Sequence, residues 1–256
     1  MLCLACQTSE EVVDTDVALV APVACDADLP GPAMLEGTVE EVDHATWEQL
    51  VAEAGVEQPN RIDLLEVGRF ERAIVNWMLG RKRGETLTYE RAQKAGPMGE
   101  AVWASFGSGE LDFQLLRMGL QHTYLCSVPI PGTLDELTER FGDYTTWPKR
   151  VEPCGLPKDA ERHMWDGPGG DVVVAETVEE GEVREVEVIF RGLRDHGQLD
   201  FAVYRPNGAL SNRSTFATRG GEPTTFGSPY ICISCHAGDD GVDVPRPVGL
   251  GAGCVD

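Results

Sequence analysis

The stretch DVVVAETV, residues 171–178, decides the fold. It is rich in β-branched side chains, which are stiff about χ1 and suit a pleated surface better than a helix. Downstream, Val186, Val188 and Phe190 alternate with charged or polar neighbours, and Leu199, Phe201 and Val203 alternate again within QLDFAVY. Alternation with period two predicts strands that bury one face. Pro206-Asn207-Gly208 is a turn signal, and a further strand is expected over 209–217. The second half of the chain therefore reads as an antiparallel meander of about four strands.

Upstream the period changes. IDLLEVGRFERAIVNWMLG, residues 62–80, places Ile62, Leu65, Phe70, Ile74, Trp77 and Met78 at roughly helical spacing, with Gly80 as terminator. LDFQLLRMGLQHTYL (111–125) reads as a second helix, and TLDELTERFG (133–142) as a third, with Thr133 and Glu136 in capping-box spacing. The segment DADLPGPAMLEGTVEE mixes acid, Pro and Gly without sustained periodicity and reads as tether, with a short helix expected over 46–54. The expected class is α+β: an acidic tether over 7–58, a mainly helical region over 59–142, and a β-rich domain over 143–256. No internal repeat is present.

Charge narrows the partners. The 256 residues carry 21 Lys and Arg against 43 Asp and Glu, a formal net charge of −22. Such a surface repels phosphate backbones and argues against nucleic acid as a partner. The first 60 residues hold 13 of the acids and no Lys or Arg. The chain opens MLCLAC, and Leu4-Ala5-Cys6 resembles the end of a bacterial lipoprotein signal, so residues 1–6 read as its remnant and Cys6 as a candidate lipidation site. An ordinary start is the other reading of the same six residues.

The chemistry gathers near the C-terminus, where YICISCHAG spans residues 230–238. Cys232, Cys235 and His236 form CxxCH. Two thiols three positions apart lie on one side of a helical turn, where each can add to a vinyl group of a haem, and the following histidine can then take the iron. Zinc would want a second ligand pair at similar spacing, and a thioredoxin-like redox pair would want a helix start beside a βαβ unit. The sequence offers neither. Setting aside Cys3 and Cys6, four cysteines remain (Cys25, Cys126, Cys154 and Cys254), enough for two disulfides in an oxidising compartment. Export accounts together for the opening, the leftover cysteines and CxxCH.

Only 20 residues follow His236 and none is Met, so a downstream methionine ligand is excluded within this sequence. The order GPGGDVVVAETV, VEVIFRG, LDFAVYRPNGAL and CISCHAG resembles the cytochrome P460 and cytochrome c′-β family over roughly residues 143–250. The resemblance is specific at CxxCH and loose elsewhere. It implies haem c, with Cys232 and Cys235 as thioether attachments and His236 as proximal iron ligand. The activity it implies is binding or redox transformation of nitric oxide or hydroxylamine at an open face of the iron, as in a haem oxidoreductase. The P460 branch also implies a lysine–haem cross-link. Lys158 is the candidate here, while Ala175 stands where relatives commonly carry lysine.

Two neighbours, His163 and Met164 in ERHMWDG, are candidate ligands for the other face of the iron. Either would give a six-coordinate electron-transfer cytochrome; otherwise both are packing residues. A third reading is a non-haem envelope lipoprotein with structural disulfides. The expected location is the periplasm or outer envelope of a bacterium. The expected partners are a small nitrogenous or diatomic ligand and a redox protein, with membrane contact only through a lipid anchor. GSGE at 107–110 lacks the context of a phosphate loop, and no GxSxG or HExxH occurs.

Overall fold

A computed structural model describes residues 61–81, 84–152, 160–194, 197–211, 213–217, 223–227 and 229–236, with Gln49 and Ala52 besides. Six helices and twelve strands are found among these residues, and the class is α+β. Of the helix expected over 46–54, the two described residues are both helical. The candidate positions Cys6 and Lys158 lie outside the described residues, as do Cys25, Cys154 and Cys254.

The first expected helix starts later than its periodicity suggests. Arg61–Asp63 is a strand, β1, paired antiparallel with β2 (Thr86–Thr88), and Ile62 is buried opposite Leu87. Helix α1 then runs over Arg69–Met78, and Gly80 leaves it at φ 64°, a conformation that costs glycine little. Two short helices went unread in the sequence: α2 (Tyr89–Lys94) and α3 (Gly96–Ala104). GPMG looks like a loop, yet Pro97 sits in the first turn, where its missing N–H costs nothing. Gly99 lets the two helices touch, because a Cβ there would lie 1.9 Å from the Ala92 carbonyl oxygen.

After the small hairpin β3 (Phe106–Gly107) and β4 (Glu110–Leu111), α4 spans Phe113–Ser127 and α5 spans Leu134–Phe141. Asp112 caps α4 by accepting from the Gln114 and Leu115 amides. Thr133 caps α5 by accepting from the Glu136 amide at 3.1 Å. Glu136 answers by accepting from the amide of Gly132, not of Thr133, so the capping box is displaced by one residue. Among the described residues no helix is long and apolar enough to cross a membrane.

The sheet has six strands, two more than the alternation announces. β5 (Lys149–Glu152), β6 (Ala160–Asp166), β7 (Val172–Glu179), β8 (Glu182–Arg191), β9 (Leu199–Tyr204) and β10 (Leu210–Ser211) form one antiparallel sheet in sequence order. The turn at Pro206-Asn207-Gly208 joins the last two, with the Gly208 amide donating to the Arg205 carbonyl at 2.8 Å. The strand expected over 209–217 divides: β10 ends at Ser211, and β11 (Arg213–Ala217) pairs instead with β12 (Pro223–Gly227) as a separate hairpin.

Residues directly opposite in an antiparallel ladder project to the same side, so the register sorts the sheet into two faces. One carries Trp165, Val174, Val188, Phe190, Ala202 and Tyr204. It packs on the helical layer: Phe190 meets Phe141 of α5 with ring centroids 5.7 Å apart, and the Tyr204 hydroxyl donates to the Pro131 carbonyl at 2.7 Å. Trp165 meets Tyr144, which lies in a short 3-10 turn after α5, at 5.4 Å. The opposite face carries Met164, Ala175, Glu187, Ile189, Phe201 and Val203.

Among the described residues no strand pairs with the outer edge of β9 at Leu199 to Phe201, and helices line it instead. The Tyr124 hydroxyl of α4 accepts from the Phe201 amide at 2.7 Å and donates to its carbonyl at 3.0 Å. Trp77 of α1 donates its indole N–H to the Leu199 carbonyl at 2.7 Å. A bare sheet edge is thereby closed by side chains. Arg194 pairs with the fully buried Asp200 through Nε at 2.9 Å, and its guanidinium lies 4.4 Å over the Trp77 ring. One buried apolar cluster runs from Ile62 to Ile233, so the boundary at 142/143 separates helices from sheet in sequence but not in packing.

Candidate functional site

The CxxCH stretch is helical: α6 covers Tyr230–His236, sequence YICISCH. Pro229 precedes it, and its carbonyl accepts from the Ile233 amide at 3.0 Å, closing the first turn. At 100° per residue, positions 232, 235 and 236 fall within an arc of about 100° on one side of the helix. A helix of seven residues is marginal alone, so packing must hold it. Ile233 supplies part of that packing, being fully buried in the shared core.

His236 packs on the sheet face opposite the helical layer. Its ring centroid is 5.2 Å from that of Phe201, with 34° between the planes. Its Nδ1 is buried and has no hydrogen-bond partner among the described residues. Burial pushes the imidazole below its ordinary value of 6.5; Glu187 opposes that shift and Arg162 adds to it. The result favours neutral imidazole, the form that binds a metal. Cys232 is half-buried in the neighbourhood of Tyr124. The phenol of Tyr124 is pushed well above its usual value, chiefly by burial and then by Asp200, with a smaller contribution from the cysteine.

Around His236 the sheet offers an apolar strip with one polar pair. Ala175, Phe201 and Val203 are buried and Ile189 is half-buried. Arg162 and Glu187 form an ion pair at 2.7 Å, with only 11% and 16% of their side chains exposed. Thr177 is the register partner of Arg162, and the strand bulges just after it. The Thr177 Oγ1 and the Arg162 Nε are both buried without a partner among the described residues. Buried polar atoms in folded proteins nearly always find one.

The adjacent pair His163 and Met164 is split between the two faces. Met164 is buried on the His236 side. It belongs to β6, three strands from the β9 residue that His236 touches, a lateral separation of about 14 Å at the usual strand spacing. His163 points to the helical side, with its ring 6.1 Å from that of Trp165. Lys149 can only donate, so it donates to His163 Nδ1 at 3.2 Å, and Nε2–H donates to Glu161 at 3.0 Å. Among the described residues no lysine lies on the His236 face, and Ala175 stands on it.

The Arg162–Glu187 pair and Thr177 were not singled out in the sequence. Glu187 shares the parity of Ile189, which alternation could have shown, but nothing in the sequence says which face α6 would cover. Cys126 is disulfide-bonded. No group of three His, Cys, Asp or Glu side chains that could hold a bare metal ion occurs among the described residues. No family model matches this chain, and neither a curated protein nor a solved structure matches it.

Proposed function

We propose that this chain is an exported c-type haem protein of the cytochrome P460 and c′-β kind, with Cys232 and Cys235 as thioether attachments and His236 as the iron's proximal ligand. The observation that carries the reading is His236 itself. CxxCH forms a helix that follows a β meander, and its histidine is half-buried against the sheet, biased to neutral imidazole, with a buried Nδ1 that has no partner among the described residues. The apolar strip of Ala175, Ile189, Phe201 and Val203 suits a porphyrin, and the Cys126 disulfide suits an oxidising compartment. A bound haem would supply an iron able to take small ligands and change oxidation state. The residues of this chain would hold it, keep water from its apolar side, and place the Arg162–Glu187 pair nearby.

Ala175, Ile189, Phe201 and Val203 make much of that face apolar, and the iron-binding candidate Met164 lies on β6, a strand about 14 Å from β9, whose Phe201 His236 touches. His163 is committed to Lys149 and Glu161 on the other side. This favours an open iron that binds or transforms small nitrogen compounds over a six-coordinate electron carrier. A pyridine haemochrome spectrum, taken on full-length protein co-expressed with cytochrome c maturation machinery, tests the reading. A c-type band that stays with the polypeptide after acid–acetone extraction is expected; a colourless polypeptide sinks it, and leaves the disulfide-bonded envelope protein.

A further inference from the structure

Residues 61–142 have no counterpart in the resemblance, yet they grip the CxxCH helix at its first residue. We propose that Tyr230 is a positioning residue for His236, through which the helical layer sets how the imidazole meets the iron; this rests on the haem reading above. The Tyr230 ring lies 6.2 Å from Phe70 of α1 and 6.1 Å from Phe113 of α4, and those two lie 6.3 Å from each other. All three pairs are edge-to-face, an arrangement the ring quadrupoles favour. The three rings close on one another, so none can turn without disturbing the other two.

Arg117, one turn along α4 from Phe113, lays its guanidinium 4.3 Å over the Tyr230 ring. It has no ion-pair partner among the described residues, and its Nε is buried without an acceptor. The ring face is therefore the partner that holds this cation in place. Helix α6 is under two turns long, lies beside β12, and is held through its described side chains at the Tyr230 socket, the buried Ile233 and the His236–Phe201 contact. Tyr230 and His236 stand at its two ends, about 9 Å apart along the axis. Freeing one end of so short a rod tilts the other. Tyr124, on the same helix as Phe113 and Arg117, holds the backbone of Phe201. Helix α4 thus fixes both the rod and the surface on which His236 rests.

The test uses full-length holoprotein, with covalent haem first verified by the haemochrome spectrum. Absence of haem in the wild type defeats the underlying reading. With haem present, the readouts are the iron–imidazole stretching band of the ferrous protein and its reduction potential. Tyr230→Leu is expected to shift both, while Tyr230→Phe, which keeps the ring, restores both to wild type. Leu137→Ala, a core truncation in α5 on the far side of the sheet, is expected to lower the thermal midpoint and move neither readout. Tyr230→Leu coinciding with wild type in both readouts, or Leu137→Ala moving them as far, overturns the proposal with the haem reading intact. Where Tyr230→Leu yields no soluble protein, Arg117→Met takes its place: a shift of both readouts from wild type is expected, and no shift overturns the proposal.

Discussion

The two faces of the six-stranded sheet are built from the same strands and finished differently. On the helical side every buried side-chain polar atom of the described strand residues has a partner, as with Tyr204 on Pro131 and Asp200 under Arg194. On the His236 side three buried polar atoms, in Arg162, Thr177 and His236, have none among the described residues. Burying a polar group without a partner costs about 1–3 kcal/mol, so the two faces differ in how fully the described residues satisfy them. The first face carries the packing against the helices, and the second is the one on which the proposed haem site lies.

Truncations should separate the faces most. Phe190→Ala removes a fully buried ring from the helical side and is expected to cost about 3–5 kcal/mol. Its ladder neighbour Ile189, half-buried on the other side, should cost the haem-free protein less than about 2 kcal/mol when cut to Ala. Urea titrations of both variants measure the gap, and equal losses would erase the distinction. The closed edge of β9 ranks next. Tyr124→Phe leaves the Phe201 amide and carbonyl without their partner and should cost about 1–3 kcal/mol, with amide exchange at Phe201 accelerated.

A smaller effect is expected from acid. His236 has its folded pKa lowered, so the unfolded chain takes up the proton first as pH falls. Its contribution is therefore complete above the unfolded value of 6.5 and is lost as pH drops through the lower folded value. In haem-free protein, wild type should lose more stability than His236→Gln between neutral pH and pH ~5, a window set by the ordinary histidine value. Parallel titration curves would remove the burial argument. Smallest of all, Thr177→Val deletes an unpartnered hydroxyl and should leave the haem-free protein unchanged or stabilised by up to about 1 kcal/mol. A clear loss of stability would mean that the hydroxyl is partnered after all.

Alternation revealed β7, β8 and β9 because each buries its two faces to different depths or punctuates them with charge. It missed β6, where Met164 and Trp165 are consecutive and both buried, one on each face, so the period of two vanishes. It also ran past Ser211, because the change of sheet between β10 and β11 leaves no mark in side-chain polarity. Helix α5 announced itself through Thr133, whereas α3 hid behind Gly96-Pro97 and Gly99. The candidate site was legible as far as CxxCH. Cys232, Cys235 and His236 owe their spacing to one helical turn, and that is local. The surroundings are not local: His236 meets Phe201 and feels the Arg162–Glu187 pair only because the four strands β6 to β9 are stacked in register. The neighbours His163 and Met164 looked like one choice between two ligands, and the pleat sends them to opposite sides of the sheet.

The central claim is a haem iron held by His236 with its other side open. The absorption spectrum of dithionite-reduced, full-length holoprotein, recorded before and after carbon monoxide is added, tests it most directly. The account predicts a five-coordinate, high-spin ferrous spectrum and a prompt Soret shift with the gas. A six-coordinate, low-spin spectrum that carbon monoxide does not move would contradict it.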